Sequence, residues 1–318
     1  MRNANDAGAT TMHLSSSSAA SGALLGALTV LSWASFNVAA KAGIDAGMSP
    51  AALSFLRYTT PALLALPAWY WLSNRAATGQ IAVHKLVVLS VLGGPIFGLI
   101  AVAGYQYAPL SHGLLFAPVA VFVTGTFWAA LLLKERIALP RVLGAAVMFA
   151  GLALLVGVST GQMGAGWPFG IALFVFAGVL WGSYTALLRH WKVPTLEGTA
   201  AVASFGSIIA AVLIGPFAWD TLREISLPML VMQIVMQGIV GGVISVVALI
   251  AGLQRLPAQT AAMLPTFTPA AALLIAWATI GTRPDPVELL GAGIIFAGFV
   301  LASQRQLNIL LALKWRLT

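Results

Sequence analysis

The chain has 318 residues, of which 60% are hydrophobic and 8% charged, with a mean hydropathy of +0.96 and a net charge of +8. Soluble domains carry about 25% charged residues, so these values exclude a water-soluble globular fold and make the bilayer the solvent. The cations are scattered singly in short loops, the pattern of membrane topology and not of nucleic-acid binding. With no cysteine there is no disulfide or thiol chemistry, and His13, His84, His112 and His190 lack zinc-ligand spacing.

Residues 1–19 are polar and include a serine run at 15–18. They read as a disordered cytoplasmic lead. A cleavable signal peptide does not fit, because the stretch has one arginine and runs into a long helix with a polar face. Ten apolar stretches follow, each near the roughly 20 residues that cross a bilayer. They are predicted at 20–43, 50–73, 84–107, 111–133, 140–159, 166–189, 195–219, 227–253, 258–280 and 286–304. Alternation of the β-barrel kind is absent, so the predicted fold class is an all-α membrane bundle. Ser49 before Pro50 reads as a helix cap and first position, and Pro140 starts the fifth span. The link at 158–166 is glycine-rich and uncharged, and it separates two halves. These are predicted as units at 20–159 and 166–304, with a cytoplasmic tail at 305–318.

Lys and Arg set the orientation. Both termini and the loops after even-numbered spans hold twelve of them, and the loops after odd-numbered spans hold three. That asymmetry predicts both termini in the cytoplasm.

The first span carries Trp33, Asn37 and Lys41 at i, i+4 and i+8, which share one helix face. An amide and an ammonium are costly against lipid, so the face should look at protein or water. Trp33, Phe36, Asn37 and Lys41 then recur as Trp181, Tyr184, Thr185 and Arg189 at one constant interval. Pro109 recurs as Pro257 at the same interval, and the Phe149-Ala-Gly segment recurs at Phe296 one residue sooner. Two copies of five spans have opposite orientation, because five is odd. Inverted repeats around a midplane cavity are a transporter device, although a duplicated scaffold need not transport.

Several residues are candidates to line that cavity. Asn37 offers an amide to a zwitterion and Trp33 a stacking wall. The alternative is that Asn37 bonds a neighbouring helix and Lys41 snorkels to the outer surface. Pro95, within Gly94-Pro95-Ile-Phe97-Gly98, and the mid-span Pro118, Pro265 and Pro269 should kink or break their helices and free carbonyls, and Gly238-Ile-Val-Gly241-Gly242 interrupts the eighth span as the counterpart of the Gly94-Gly98 segment. Phe97, Phe116, Met263, Thr266 and Phe267 lie beside those breaks. Gln233 and Gln237, i and i+4 in the eighth span, are candidate amides, and Tyr105 ends the third span. Together with Trp181, Tyr184 and Thr185 these complete the expected substrate-binding set. None of the eight carboxylates falls clearly at mid-membrane, which argues against a carboxylate proton relay, and there is no P-loop for ATP.

Trp33-Ala-Ser-Phe-Asn37, Lys41, Ser49-Pro50 and Arg57 resemble the opening of an EamA domain of the drug/metabolite transporter superfamily. Pro118, Lys134-Glu135-Arg136, Leu143-Gly144 and Ala150-Gly151 resemble its close. Trp181-Gly182-Ser183-Tyr184, Pro269 and Gly291 resemble a second copy, in which Thr282-Arg283 stands where the first has Glu135-Arg136. The resemblance spans about residues 20 to 304. It implies ten helices in two inverted five-helix repeats, a central cavity and export of small metabolites. Overall the chain looks most like the YddG-type aromatic amino acid exporters. That likeness implies a bacterial inner-membrane protein, monomer or homodimer, with amino acids and lipid as its partners and no cofactor. A membrane enzyme, a passive channel and a ligand sensor are the rival classes; no acid pair, metal motif or activated serine with plausible spacing supports the first.

Overall fold

The computed structural model describes residues 16–63, 66–67, 70–71, 81–159, 164–193, 195–256 and 258–304. Among them there are helices and no strands. The expected lead lies outside the described residues up to 15, and residues 16–19 already belong to the first helix, Ser16–Asp45. The expected tail at 305–318 lies outside them altogether.

Eight helices among the described residues are long and apolar enough to cross a membrane. The ninth span, Ala258–Ile280, contributes a shorter apolar stretch at Leu264–Ile280. The second is helical over Pro50–Thr59 and turns at Thr60 and Pro61, where proline supplies no N–H for the next bond. Ten spans in two five-helix repeats result.

Caps and prolines start the helices where the sequence predicts. Ser49 Oγ accepts the Ala52 N–H at 3.1 Å, with Pro50 in the first turn. Asp285 and Glu288 form a reciprocal capping box around Pro286 at the start of the tenth span, Pro286–Ser303. The third span breaks as Pro95 predicts. It runs as Val83–Gly93 and Pro95–Ala103, then tightens into a 3₁₀ turn at Gly104–Gln106. Ser54 Oγ donates to the Pro95 carbonyl at 2.8 Å across the break. Two wider irregularities follow, of which only the one in the eighth span, over Gly238-Ile-Val-Gly241-Gly242, falls on a predicted interruption. The seventh span, Thr195–Ile209 and Gly215–Glu224, contains a π segment at Ala210–Ile214. The eighth, Leu227–Gln233 and Ser245–Leu253, contains one at Ile234–Ile244.

The repeats interlock. The fourth span (Leu110–Leu132) lies along the sixth (Trp167–His190), and the fifth (Leu139–Ser159) along the tenth. The first packs against the eighth and ninth. Small residues bring these backbones together. A Cβ at Gly178 would fall 2.5 Å from the Ala117 carbonyl oxygen. Lipid-facing sides are apolar and exposed, as at Phe149, Phe217 and Trp277. The ends of the bundle differ. One face carries the start of the first span and the loops after even-numbered spans; the other is the far face.

Candidate functional site

Between the repeats lies a cavity of about 990 Å³. Its walls come from spans one to four of the first repeat and from the sixth, ninth and tenth. The volume is at the upper end of small-molecule sites. The lining reaches Glu135 and Arg136 between the fourth and fifth spans, Arg141 in the first turn of the fifth, and Gln304 at the end of the tenth. The cavity thus runs from mid-bundle to the face that carries the even-numbered loops.

Polar bonds close the bundle toward the far face. The Tyr105 hydroxyl donates to Asn37 Oδ1 at 3.0 Å, tying the third span to the first. Asn37 Nδ2 donates to the Trp33 carbonyl at 2.8 Å. Ser111 Oγ donates to the Glu288 carboxylate, tying the fourth span to the tenth, and lies 3.3 Å from Nδ1 of the fully buried His112. An Asn37→Ala substitution should leave the Tyr105 hydroxyl without its acceptor and cost about 1 to 2 kcal/mol. A double-mutant cycle with Tyr105→Phe, read by thermal unfolding in detergent, should show coupling of about 1 kcal/mol. Purely additive losses would mean that the bond carries no stability.

The walls are aromatic. Trp181 stacks at 5.0 Å on Phe97 and at 5.0 Å on Tyr184. Tyr105 packs on Phe174 at 5.1 Å, and Phe122 meets Phe299 edge-on at 5.7 Å. The Arg57 guanidinium lies 3.9 Å from the Phe36 ring centre.

The residues singled out from sequence divide into two groups. Trp33, Asn37, Phe97, Tyr105, Trp181 and Thr266 line the cavity, as do Pro118 and Pro265. The others do not. Lys41 pairs with Asp45 one turn on, at the far end of the first span. Tyr184 is buried against Gly93 and Trp181, and Thr185 returns its hydroxyl to the Gly182 carbonyl at 2.9 Å. Gln237 Nε2 donates to the Phe36 carbonyl at 2.9 Å, and Gln233 Nε2 to the Ala39 carbonyl at 2.6 Å, so both amides fasten the eighth span to the first. Phe116 stacks on His112, Phe267 faces outward on Phe296, Pro95 starts a half-helix beside the cavity, and Pro269 lies within the continuous ninth-span helix outside the lining. The side chain of Met263 lies outside the described residues.

Arg57 and Phe174 are lining residues that the sequence reading did not select. Both had a signal. Arg57 is a lone cation inside an apolar span. Phe174, Gly178 and Trp181 follow i, i+4, i+7 spacing on one face.

The search of curated proteins finds no match. Among solved structures, one described as "Crystal structure of protein" superposes with a TM-score of 0.62 at 18% identity, covering 90% of this chain and 99% of its own. That likeness concerns the fold alone. The model of the EamA-like transporter family matches twice, over residues 20–157 and 168–304, one match on each five-helix repeat. The chain therefore belongs to the EamA-like transporter family, within the drug/metabolite transporter superfamily.

Proposed function

We propose that this transporter exports amino acids across a bacterial inner membrane by alternating access, with both termini in the cytoplasm. The preferred substrates are aromatic (phenylalanine, tryptophan, tyrosine), followed by other neutral side chains such as methionine and threonine. The observation that carries the reading is the cavity itself. It lies between two inverted repeats, reaches the face of the even-numbered loops, and combines ring-lined walls with a small polar end at Asn37, Tyr105 and Arg57. An amphipathic molecule with one flat apolar part and one charged end fits that division. The open face carries the cation-rich loops, so the conformation corresponds to one that loads from the cytoplasm.

Counterflow tests this directly. Purified protein in tight liposomes preloaded with one amino acid should accumulate labelled phenylalanine transiently and saturably. Tryptophan, phenylalanine and methionine should be the best preloads. Non-saturating flux would identify a channel. An absence of accumulation with every amino acid, from demonstrably folded protein, would turn the assignment to another small metabolite or drug. Chemical alteration of the substrate would point to an enzyme.

A further inference from the structure

We infer that Arg57 makes this cavity a carboxylate site, in which a substrate's carboxylate is required and its ammonium is dispensable. The inference rests on the reading that the cavity is where substrate binds.

Arg57 lies two turns into the second span and lines the cavity. A guanidinium at that depth is costly unless something of opposite charge or an electron-rich face meets it. The Phe36 ring does so from one side, at 3.9 Å. Among the described residues no carboxylate lies within ion-pair distance of Arg57. Asp45 is taken by Lys41, and Glu135 by Arg189 at 2.7 Å and Arg141 at 3.7 Å. Among the described residues Glu135 is also the only acid that lines the cavity, and it stands at the mouth. Arg57, Arg136 and Arg141 line it with positive charge. A pocket with low-dielectric walls and cations at both ends concentrates anions.

Hydrogen-bonding capacity points the same way. At the closed end Asn37 Oδ1 already accepts from Tyr105, and the Tyr105 proton is used in that bond. Arg57 brings a planar fork of donors, part of it shared with the neighbouring Tyr58 hydroxyl, and no acceptor. A carboxylate can take two parallel bonds from that fork. An ammonium would meet a like charge and no acid. Thr268 lines the cavity on the ninth-span wall, and its buried hydroxyl has no partner among the described residues. The repeat does not balance the charge either. At the interval that relates Trp33 to Trp181, Arg57 falls on Phe205. The cavity therefore has a cationic inner pole at Arg57, aromatic walls, and Arg136 and Arg141 at its mouth.

Three probes share a phenyl ring and differ at the polar end: 3-phenylpropionate, phenylalanine and phenethylamine. Binding to the purified protein is read by quenching of tryptophan fluorescence and by shift of the unfolding midpoint. The expected result is that 3-phenylpropionate binds at least as tightly as phenylalanine, while phenethylamine binds at least about tenfold more weakly, the scale of one lost charge-assisted bond pair. Arg57→Gln should weaken both carboxylates by about tenfold or more and erase the discrimination, and Arg57→Lys should restore part of it. Equal binding of phenethylamine and 3-phenylpropionate overturns the inference. So does a folded Arg57→Gln protein with unchanged affinity for both acids. If that variant does not fold, the three-probe ranking on the unaltered protein decides alone. Ranked binding without counterflow supports the carboxylate site and overturns the transport reading. Counterflow indifferent to the carboxylate does the reverse. Absence of binding by all three probes overturns the inference.

Discussion

Gly144→Leu is expected to abolish or severely destabilise the folded protein, at a cost of about 3 kcal/mol or more. The fifth and tenth spans touch backbone to backbone. A Cβ at Gly144 would lie 2.5 Å from the Gly298 carbonyl oxygen and 2.8 Å from the Ala302 nitrogen, and one at Gly298 would lie 2.8 Å from the Gly144 carbonyl oxygen. The colliding atoms are main chain, so no rotamer change relieves them. The helices must separate, and separation forfeits dispersion contacts along their shared length. Gly293→Leu is the control. It changes the same tenth span by the same side chain, but a Cβ there meets nothing within 4 Å. Thermal unfolding in detergent should place Gly293→Leu near the unaltered protein and Gly144→Leu far below it, or give no monodisperse protein for the latter. Matching midpoints for the two would show that the crossing has slack.

Trp181→Ala is expected to raise the half-saturating substrate concentration in counterflow by about tenfold to a hundredfold. Trp181 stands on the cavity wall and holds two further rings, Phe97 and Tyr184, each at 5.0 Å. Removing it takes away its own contact with a substrate ring and lets Phe97 relax from its position. Aromatic pairs contribute about 0.5 to 1.5 kcal/mol each beyond the area they bury, so a total loss of about 2 kcal/mol follows, and about 1.4 kcal/mol is a factor of ten. Trp181→Phe should recover most of the affinity. Trp277→Ala removes an indole that faces outward, 52% exposed, and should leave half-saturation unchanged. An unchanged half-saturation in Trp181→Ala would place the substrate elsewhere.

Fold and site were not equally legible in the sequence. The spans were readable because each is a long apolar run ended by turn residues or charge, and the doubled stripe revealed the repeat. The break at Gly94-Pro95 was readable because proline cannot continue a ladder. The π segment at Ala210–Ile214 was not, and at Ile234–Ile244 the glycines Gly238, Gly241 and Gly242 marked an interruption without giving its π form. Neither segment contains proline, and a π turn is a register shift imposed by neighbouring helices. Periodicity likewise tells which residues share a face but not what the face meets. Trp33 and Asn37 face the cavity, whereas Gln233 and Gln237, equally polar and equally spaced, face the carbonyls of the first span. Thr185 occupies the place of Asn37 in the second copy, but its shorter side chain reaches only its own helix turn. Arg57 stood out by charge alone, and its relation to Phe36 depends on a crossing of the first two spans that sequence does not give.

The helix irregularities fall in matching places. At the interval that relates Trp33 to Trp181, Ala62, just past the Thr60-Pro61 turn, falls on Ala210, where the seventh span's π segment begins. Pro95 falls on Val243, inside the eighth span's π segment. Each half therefore owns the same pair of weak points, pointing opposite ways. In the cycle proposed above, the inward-open and outward-open states are built from the same bends exchanged between halves. Their free energies differ through the many positions at which the halves differ in sequence, among them Arg57 against Phe205 and Glu135-Arg136 against Thr282-Arg283. A gap of about 1 kcal/mol populates both states at roughly five to one. A ligand that favours the minor state by slightly more than that gap makes it the majority. A gap that small would let a weakly held metabolite drive the exchange.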